Sequence, residues 1–204
     1  SFAKGLPFQY NPETRDLRVC GTTASLAGLE LAYEKRDEGY REDAIKRILL
    51  IYSVVISLGG IPLIYLGDEI GTMNDYSFTD DPEKKEDSRW VHRVAMDWDK
   101  ATSGESQSVA ERLKNALTHR IRLRKEIPAF GNGDIQVIET TNEHVLGYLK
   151  NDDTHRLILL YNFSEEEQKV QANFLEGTDL LTGNTVNGEH GITMSGYECL
   201  WIAL

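Results

Sequence analysis

Two hydrophobic rhythms divide the chain. Up to about residue 127 the apolar residues recur at helical spacing, and beyond residue 134 they alternate with polar ones. A cap at Thr22 or Thr23 opens a helix through Leu26, Leu29 and Ala32. After the polar break "EKRDEGY", Ile45, Ile48, Leu49, Tyr52, Val55 and Ile56 predict a second helix over residues 42–58, with Leu50, Ile51 and Val54 widening its apolar face until it is buried nearly all round. Gly59-Gly60 ends it. The run "IPLIYL", residues 61–66, has no polar alternation and predicts a short strand buried on both faces, as in parallel sheets. One such strand needs partner strands that this chain does not supply.

The first 22 residues read as turn-rich loop, because "QYNPETRD" disfavours helix. A long polar stretch over residues 72–93, centred on "DDPEKKEDSRW", exceeds an idle connection and predicts a functional loop. Val109, Leu113, Ala116, Leu117 and Ile121 predict an amphipathic helix over residues 106–126. "EIPAFGNGD" then marks the best boundary, giving domains at 1–127 and 128–204. Beyond it "IQVIET", "HVLGYLK", "RLILLYNFS", "QKVQANF" and "YECLWIAL" predict a small antiparallel β-sandwich.

Composition narrows the partners. The net charge of −11 and the absence of a dense Lys/Arg cluster argue against nucleic acid and favour neutral or polar small substrates. Cys20 and Cys199 stand in no metal-binding or disulfide spacing, a usage that suits a reducing cytoplasm. The longest apolar run is too short to span a bilayer. The N-terminus starts within an apparent loop, without initiator Met or signal-peptide core, which predicts a piece of a longer chain.

Three stretches offer candidate chemistry. "GYREDAIKR" resembles a glycosidase nucleophile motif with Arg41 orienting and Asp43 attacking; the alternative puts Glu42 and Asp43 in the first turn of a helix, complementing its dipole. Asp68 and Glu69 follow the apolar run, but neighbours on a strand point to opposite faces and do not form the pair that flanks a sugar. "EDSRWVHR" joins Arg89, Trp90, His92 and Arg93, with Arg suited to carboxylates and Trp to sugar rings; a surface salt-bridge cluster explains it equally well. Gln9, Asn11 and Arg18 are polar groups able to contact hydroxyls. No phosphate loop, metal cluster or Ser/His/Asp order is present.

Taken together, "GIPLIYLGDEIG", "LILLYNFSEEEQKV", "DLLTG" and "GYECLWIAL" resemble the α-amylase superfamily of glycoside hydrolases. Within it, "SFAKGLPFQYNPETRDLRVCGTTASLAGLE" and "YLGDEIGTMNDYSFTDDPEKKEDSRWVHR" are similar to the amylosucrases. The resemblance implies α/β plus all-β architecture: the C-terminal part of a (β/α)8 TIM barrel, followed by an antiparallel β-sandwich. It also implies transfer of the glucosyl group of sucrose to an α-glucan, with no cofactor. Carried over by residue, Arg89 closes the glucosyl pocket against an aspartate of the early barrel, and Arg18 lines the sugar site with Gln9 and Asn11 close by. The family's catalytic carboxylates lie upstream, and no His-Asp dipeptide exists here, so no catalytic residue is assigned. Asp43 falls on a helix and Asp68 and Glu69 become scaffolding. A sucrose hydrolase, another α-glucosidase and a non-catalytic carbohydrate-binding or interaction module remain as alternatives. Tyr148, Tyr161, Tyr197 and Trp201, lying in apolar strands, suit a core rather than an aromatic binding face. A barrel piece exposes faces made for missing strands, so self-association through residues 42–58 is expected.

Overall fold

The computed structural model describes residues 1–171 and 174–204. Contacts divide the chain into two compact units, Ser1–Ile48 with Ile64–Asn115, and Leu49–Leu63 with Ala116–Leu204.

The first unit opens on a β-hairpin rather than the expected loop: β1 (Leu6–Asn11) pairs antiparallel with β2 (Asp16–Cys20). The Asn-Pro turn lies where the sequence puts it. The flanking strands carry no alternating signal because Tyr10, Leu17 and Val19 are apolar yet exposed. The expected first helix is two, α1 (Thr23–Leu26) and α2 (Leu29–Lys35), separated at Gly28 with φ +98°. Thr22 caps α1 as predicted, its side chain accepting from the Ser25 amide at 3.2 Å.

Helix α3 (Glu38–Ser57) starts a turn earlier than predicted, which moves Glu42 and Asp43 out of its first turn. Ala44, Ile45, Ile48, Leu50, Tyr52 and Ile56 are buried within the chain itself. Most of its apolar face is therefore occupied within the chain, while Ile51 and Leu58 stay exposed. More exposed apolar surface lies at residues 61–66, where the expected buried strand is absent: Ile61 is 98 % and Leu63 74 % exposed, and no ladder forms there. The barrel is accordingly not evident. An extended segment becomes a strand only when neighbouring strands take its backbone hydrogen bonds, and no described strand does.

A 3-10 turn at Asp68–Ile70 precedes the long polar loop, two more, Ser77–Asp80 and Ser88–His92, order it, and α4 (Trp98–Thr102) follows. In α5 (Val109–Glu126) the Ser108 side chain accepts from the Glu111 amide at 3.2 Å, and Arg112 grips Glu42 through two hydrogen bonds of 2.6 Å. Gly71 sits at φ +64°, where an added Cβ would lie 3.0 Å from Leu113 and 3.2 Å from Leu29. Gly71→Ala is expected to lower stability by about 1–2 kcal/mol from the backbone conformation alone. Urea denaturation of the variant checks this.

After α6 (Ala129–Asn132), the second unit builds a six-stranded antiparallel sheet in the order β3 (Asp134–Val137), β4 (Val145–Asn151), β5 (Arg156–Asn162), β10 (Cys199–Ala203), β7 (Glu176–Asp179), β8 (Thr185–Asn187). A two-stranded ribbon, β6 (Gln168–Val170) with β9 (Ile192–Met194), packs on one face through Ile158, Leu160, Leu200 and Ile202. Helical residues cover the other. There Ser57, Tyr148 and Tyr161 bring their hydroxyls together at 2.5, 2.5 and 3.0 Å, and the Trp201 indole donates to Tyr161 at 3.1 Å. Ser57 donates onward to the Ser53 carbonyl, so each buried hydroxyl has both a proton to give and one to receive. Burial pushes the Tyr161 phenol well above its usual range, keeping the cluster neutral. β5 is buried on both faces, which is why "RLILLYN" shows no alternation. The antiparallel β domain matches expectation. Strands β7, β8 and β9 are only three or four residues long, too short to show an alternating pattern in the sequence. Ala172 and Asn173 of "QKVQANF" lie outside the described residues.

Candidate active-site surface

The hairpin and the Ser88–His92 turn form one local surface in the first unit. Cys20, Phe78 and Val91 make a small core, with Leu6, Phe8 and Trp90 packed against it. The Ser88 hydroxyl donates to the Pro7 carbonyl at 2.9 Å, tying the turn to β1.

Two of the four residues carried by the resemblance meet directly. Arg18 on β2 donates to the Gln9 side-chain carbonyl at 3.2 Å. A β-bulge between Phe8 and Tyr10 makes this contact, and Gln9 adopts φ +54°, an unfavourable conformation for a residue with a Cβ. Arg89 lies over the Phe8 ring, 5.0 Å from its centroid, and Phe8 is the register partner of Arg18. Asn11 does not join them: its side-chain carbonyl accepts from the Glu13 amide at 3.0 Å and belongs to the hairpin turn.

The partner of Arg89 is local. Asp87 accepts from Nε through Oδ1 and from the terminal nitrogen through Oδ2, both at 2.8 Å, while Oδ1 also caps the turn by accepting from the Arg89 amide at 3.0 Å. A fork-to-fork pair fixes the guanidinium plane. The Arg89 side chain remains 47 % exposed, so one edge of the fork stays available to a ligand. The sequence carries a signal for this pair, an Asp two residues before Arg at a turn-opening position. Phe8 carries no such signal, since in sequence an aromatic within a turn-rich stretch has no visible partner.

The Arg89 guanidinium holds the Asp87 carboxyl at about 2, below its ordinary 3.8. Because the folded value is depressed, the stabilisation is complete above the unfolded value and is lost as pH falls from about 4 through about 2. The Ser88–His92 turn is therefore expected to persist at pH 4 and to loosen only near pH 2, followed through the Asp87 carboxyl carbon in an NMR titration. Burial and the neighbouring Arg93 push the His92 imidazole below its usual range, and Tyr65 meets it edge-on at 6.3 Å. Lys84 and Arg93 both lie over the Trp90 ring, about 5 Å from its centroid, so a sugar stacking there would have to displace a cation.

The acidic candidates are structural. Asp68 is buried and accepts from the Thr23 hydroxyl at 2.8 Å, while Glu69 accepts from the Gly67 amide at 2.8 Å. Arg41 pairs with Glu38 on the same helix. Among the described residues no group of three or more His, Cys, Asp or Glu side chains is placed to hold a metal, and no helix is long and apolar enough to cross a membrane.

Relatives and solved structures similar to this chain are α-amylase-family glycoside hydrolases and transglycosylases. A β-galactosidase C-terminal domain model matches residues 149–200. Glucosylglycerate phosphorylase of Escherichia coli K12 is 26 % identical over 170 residues, 82 % of this chain and 30 % of the relative. Alpha-amylase 3 of Dictyoglomus thermophilum is 24 % identical over 147 residues, 64 % of this chain and 28 % of its own length. The structure of AmyP in complex with maltotriose superposes with a TM-score of 0.63 at 21 % identity, covering 79 % of this chain and 35 % of that one. The chain thus spans about a third or less of the curated relatives it matches.

Proposed function

We propose that this chain forms the substrate-facing loops and β domain of an amylosucrase-like enzyme, which transfers the glucosyl group of sucrose to an α-1,4-glucan with retention and releases fructose. The observation that carries this reading is the half-exposed Arg89 fork, locked by Asp87 beside Phe8 and the Gln9–Arg18 pair, within the "DSRW" segment. Arg89 holds a sugar hydroxyl at the closed end of the pocket, and Arg18, oriented by Gln9, meets the sugar on the acceptor side. Retaining transfer takes a nucleophile and an acid/base roughly 5 Å apart, whereas Asp68 and Glu69 are engaged by the Thr23 hydroxyl and the Gly67 amide. The two carboxylates come from beyond these 204 residues. The free thiols Cys20 and Cys199 fit a reaction in the reducing cytoplasm.

Fructose release from sucrose is the test. The whole protein is expected to release fructose and lengthen a maltooligosaccharide acceptor, and the 204-residue chain alone to do neither. Absence of fructose release by the whole protein would refute the reading. The similarity to a phosphorylase over 82 % of the chain favours one second outcome, glucosyl transfer to inorganic phosphate. A sucrose hydrolase would give free glucose. Product analysis separates the three, because elongated glucan, sugar phosphate and free glucose are chemically distinct.

A further inference from the structure

The helical face of the β domain holds a cation that no acid neutralises. Arg120 on α5 is 7 % exposed. Its Nε donates to the Ser53 hydroxyl at 2.7 Å, one terminal nitrogen to the Ala116 carbonyl at 3.0 Å, and the other to the Cys199 sulfur at 3.6 Å. Among the described residues no carboxylate lies within ion-pair distance of it. Buried charges are ordinarily paired with an opposite charge, since water no longer solvates them. Here all three partners are neutral, and of these the sulfur is the one that takes up negative charge readily.

Cys199 is placed to react. It opens β10 on the same face as Trp201 and remains partly exposed. The Ser53 hydroxyl, 2.5 Å from the Leu49 carbonyl, lies 3.3 Å from the sulfur, so α3 and α5 both present polar groups to it. Cys20 supplies the contrast. It packs in the small core with Phe78 and Val91, and Arg89 nearby is already engaged by Asp87 through two bonds of 2.8 Å.

A donor whose positive charge is unspent favours a reaction in which negative charge moves off the sulfur. We propose that Cys199 is a site of reversible oxidation by hydrogen peroxide or a small organic hydroperoxide, with Arg120 stabilising the charge that moves. The sulfur gives its proton to solvent and attacks one peroxide oxygen. The S–O bond forms as the O–O bond breaks, the sulfur is oxidised to a sulfenic acid, and the reduced oxygen leaves as hydroxide, or as alkoxide from a hydroperoxide, and is protonated by solvent. Arg120 donates first to the sulfur and then to its new oxygen, a charge-assisted bond stronger than a neutral one. Excess small thiol returns the sulfenic acid to the thiol, leaving water and the reagent's own disulfide. None of these residues takes part in the glucosyl transfer proposed above.

The test treats the whole protein with hydrogen peroxide, traps sulfenic acid with dimedone, and reads each cysteine peptide by mass spectrometry. Cys199 is expected to be trapped at least about tenfold faster than Cys20, the scale of one hydrogen bond to a charged group. Dithiothreitol given between peroxide and dimedone should abolish the label. Arg120→Gln should slow Cys199 about tenfold, whereas Arg120→Lys, which keeps the charge, should retain most of the rate. Circular dichroism checks that each variant is folded, because Arg120 also ties α5 to α3. A second measurement needs no variant: in the wild type, anionic iodoacetate should gain on neutral iodoacetamide at Cys199 relative to Cys20, since an unneutralised cation draws the anion. Trapping of Cys199 no faster than Cys20, an unchanged rate in folded Arg120→Gln, or no gain for iodoacetate would overturn the proposal. Glucosyl transfer is not read, so the outcome stands apart from that of the proposed function.

Discussion

Trp201→Ala is expected to destabilise the protein by about 3–5 kcal/mol, among the largest effects of any single core truncation. Trp201 is fully buried on the central strand β10, packs against Phe130 with tilted rings 4.7 Å apart, and donates its indole hydrogen to Tyr161. Truncation removes the apolar contact, leaves a cavity under the helical layer, and costs the hydroxyl cluster its outermost donor. A domain's whole stability is about 5–15 kcal/mol, so the variant should unfold at markedly lower urea. Trp201→Phe separates the contributions. It restores most of the ring volume and lacks only the indole N–H, so its cost should fall toward about 1–2 kcal/mol. A cost below about 1 kcal/mol for Trp201→Ala would mean that the surrounding layers collapse onto the vacancy, contrary to the packing described.

In the whole protein, Arg89→Ala is expected to lower kcat/KM for sucrose about 100-fold, the scale of losing a charge-assisted contact to substrate. Arg89→Lys should recover little of it. A lysine keeps the charge but cannot meet Asp87 and a sugar hydroxyl with one rigid fork. Asp87→Asn distinguishes orientation from charge: it leaves Arg89 in place but removes the acceptor of both 2.8 Å bonds, and should reduce activity less than Arg89→Ala does. The folded state should barely register these changes, because an exposed ion pair contributes only about 0–1 kcal/mol. Activity within threefold of wild type in Arg89→Ala would remove Arg89 from the substrate site.

Local chemistry was legible wherever it depended on near neighbours. The Thr22 cap, α3, α5 and the strands β4 and β5 follow from apolar spacing, β-rich runs and turn residues alone, because these signals lie between near neighbours in the chain. The Arg89–Asp87 pair is two residues apart and could have been read as well.

What the sequence by itself determined was therefore the helical and antiparallel β segments, the acidic balance, and the candidate arginines Arg18 and Arg89. Tertiary structure decided the rest. Strand identity at residues 61–66 was undetermined because a strand exists only through hydrogen bonds to another segment, and an apolar run carries no record of whether that segment is present. The hairpin β1–β2 was hidden because its outward apolar residues are exposed. Asn11 and Gln9 look interchangeable as letters. A bulge with φ +54° turns Gln9 toward Arg18, while the hairpin turn takes Asn11, a choice made by backbone register rather than by residue type.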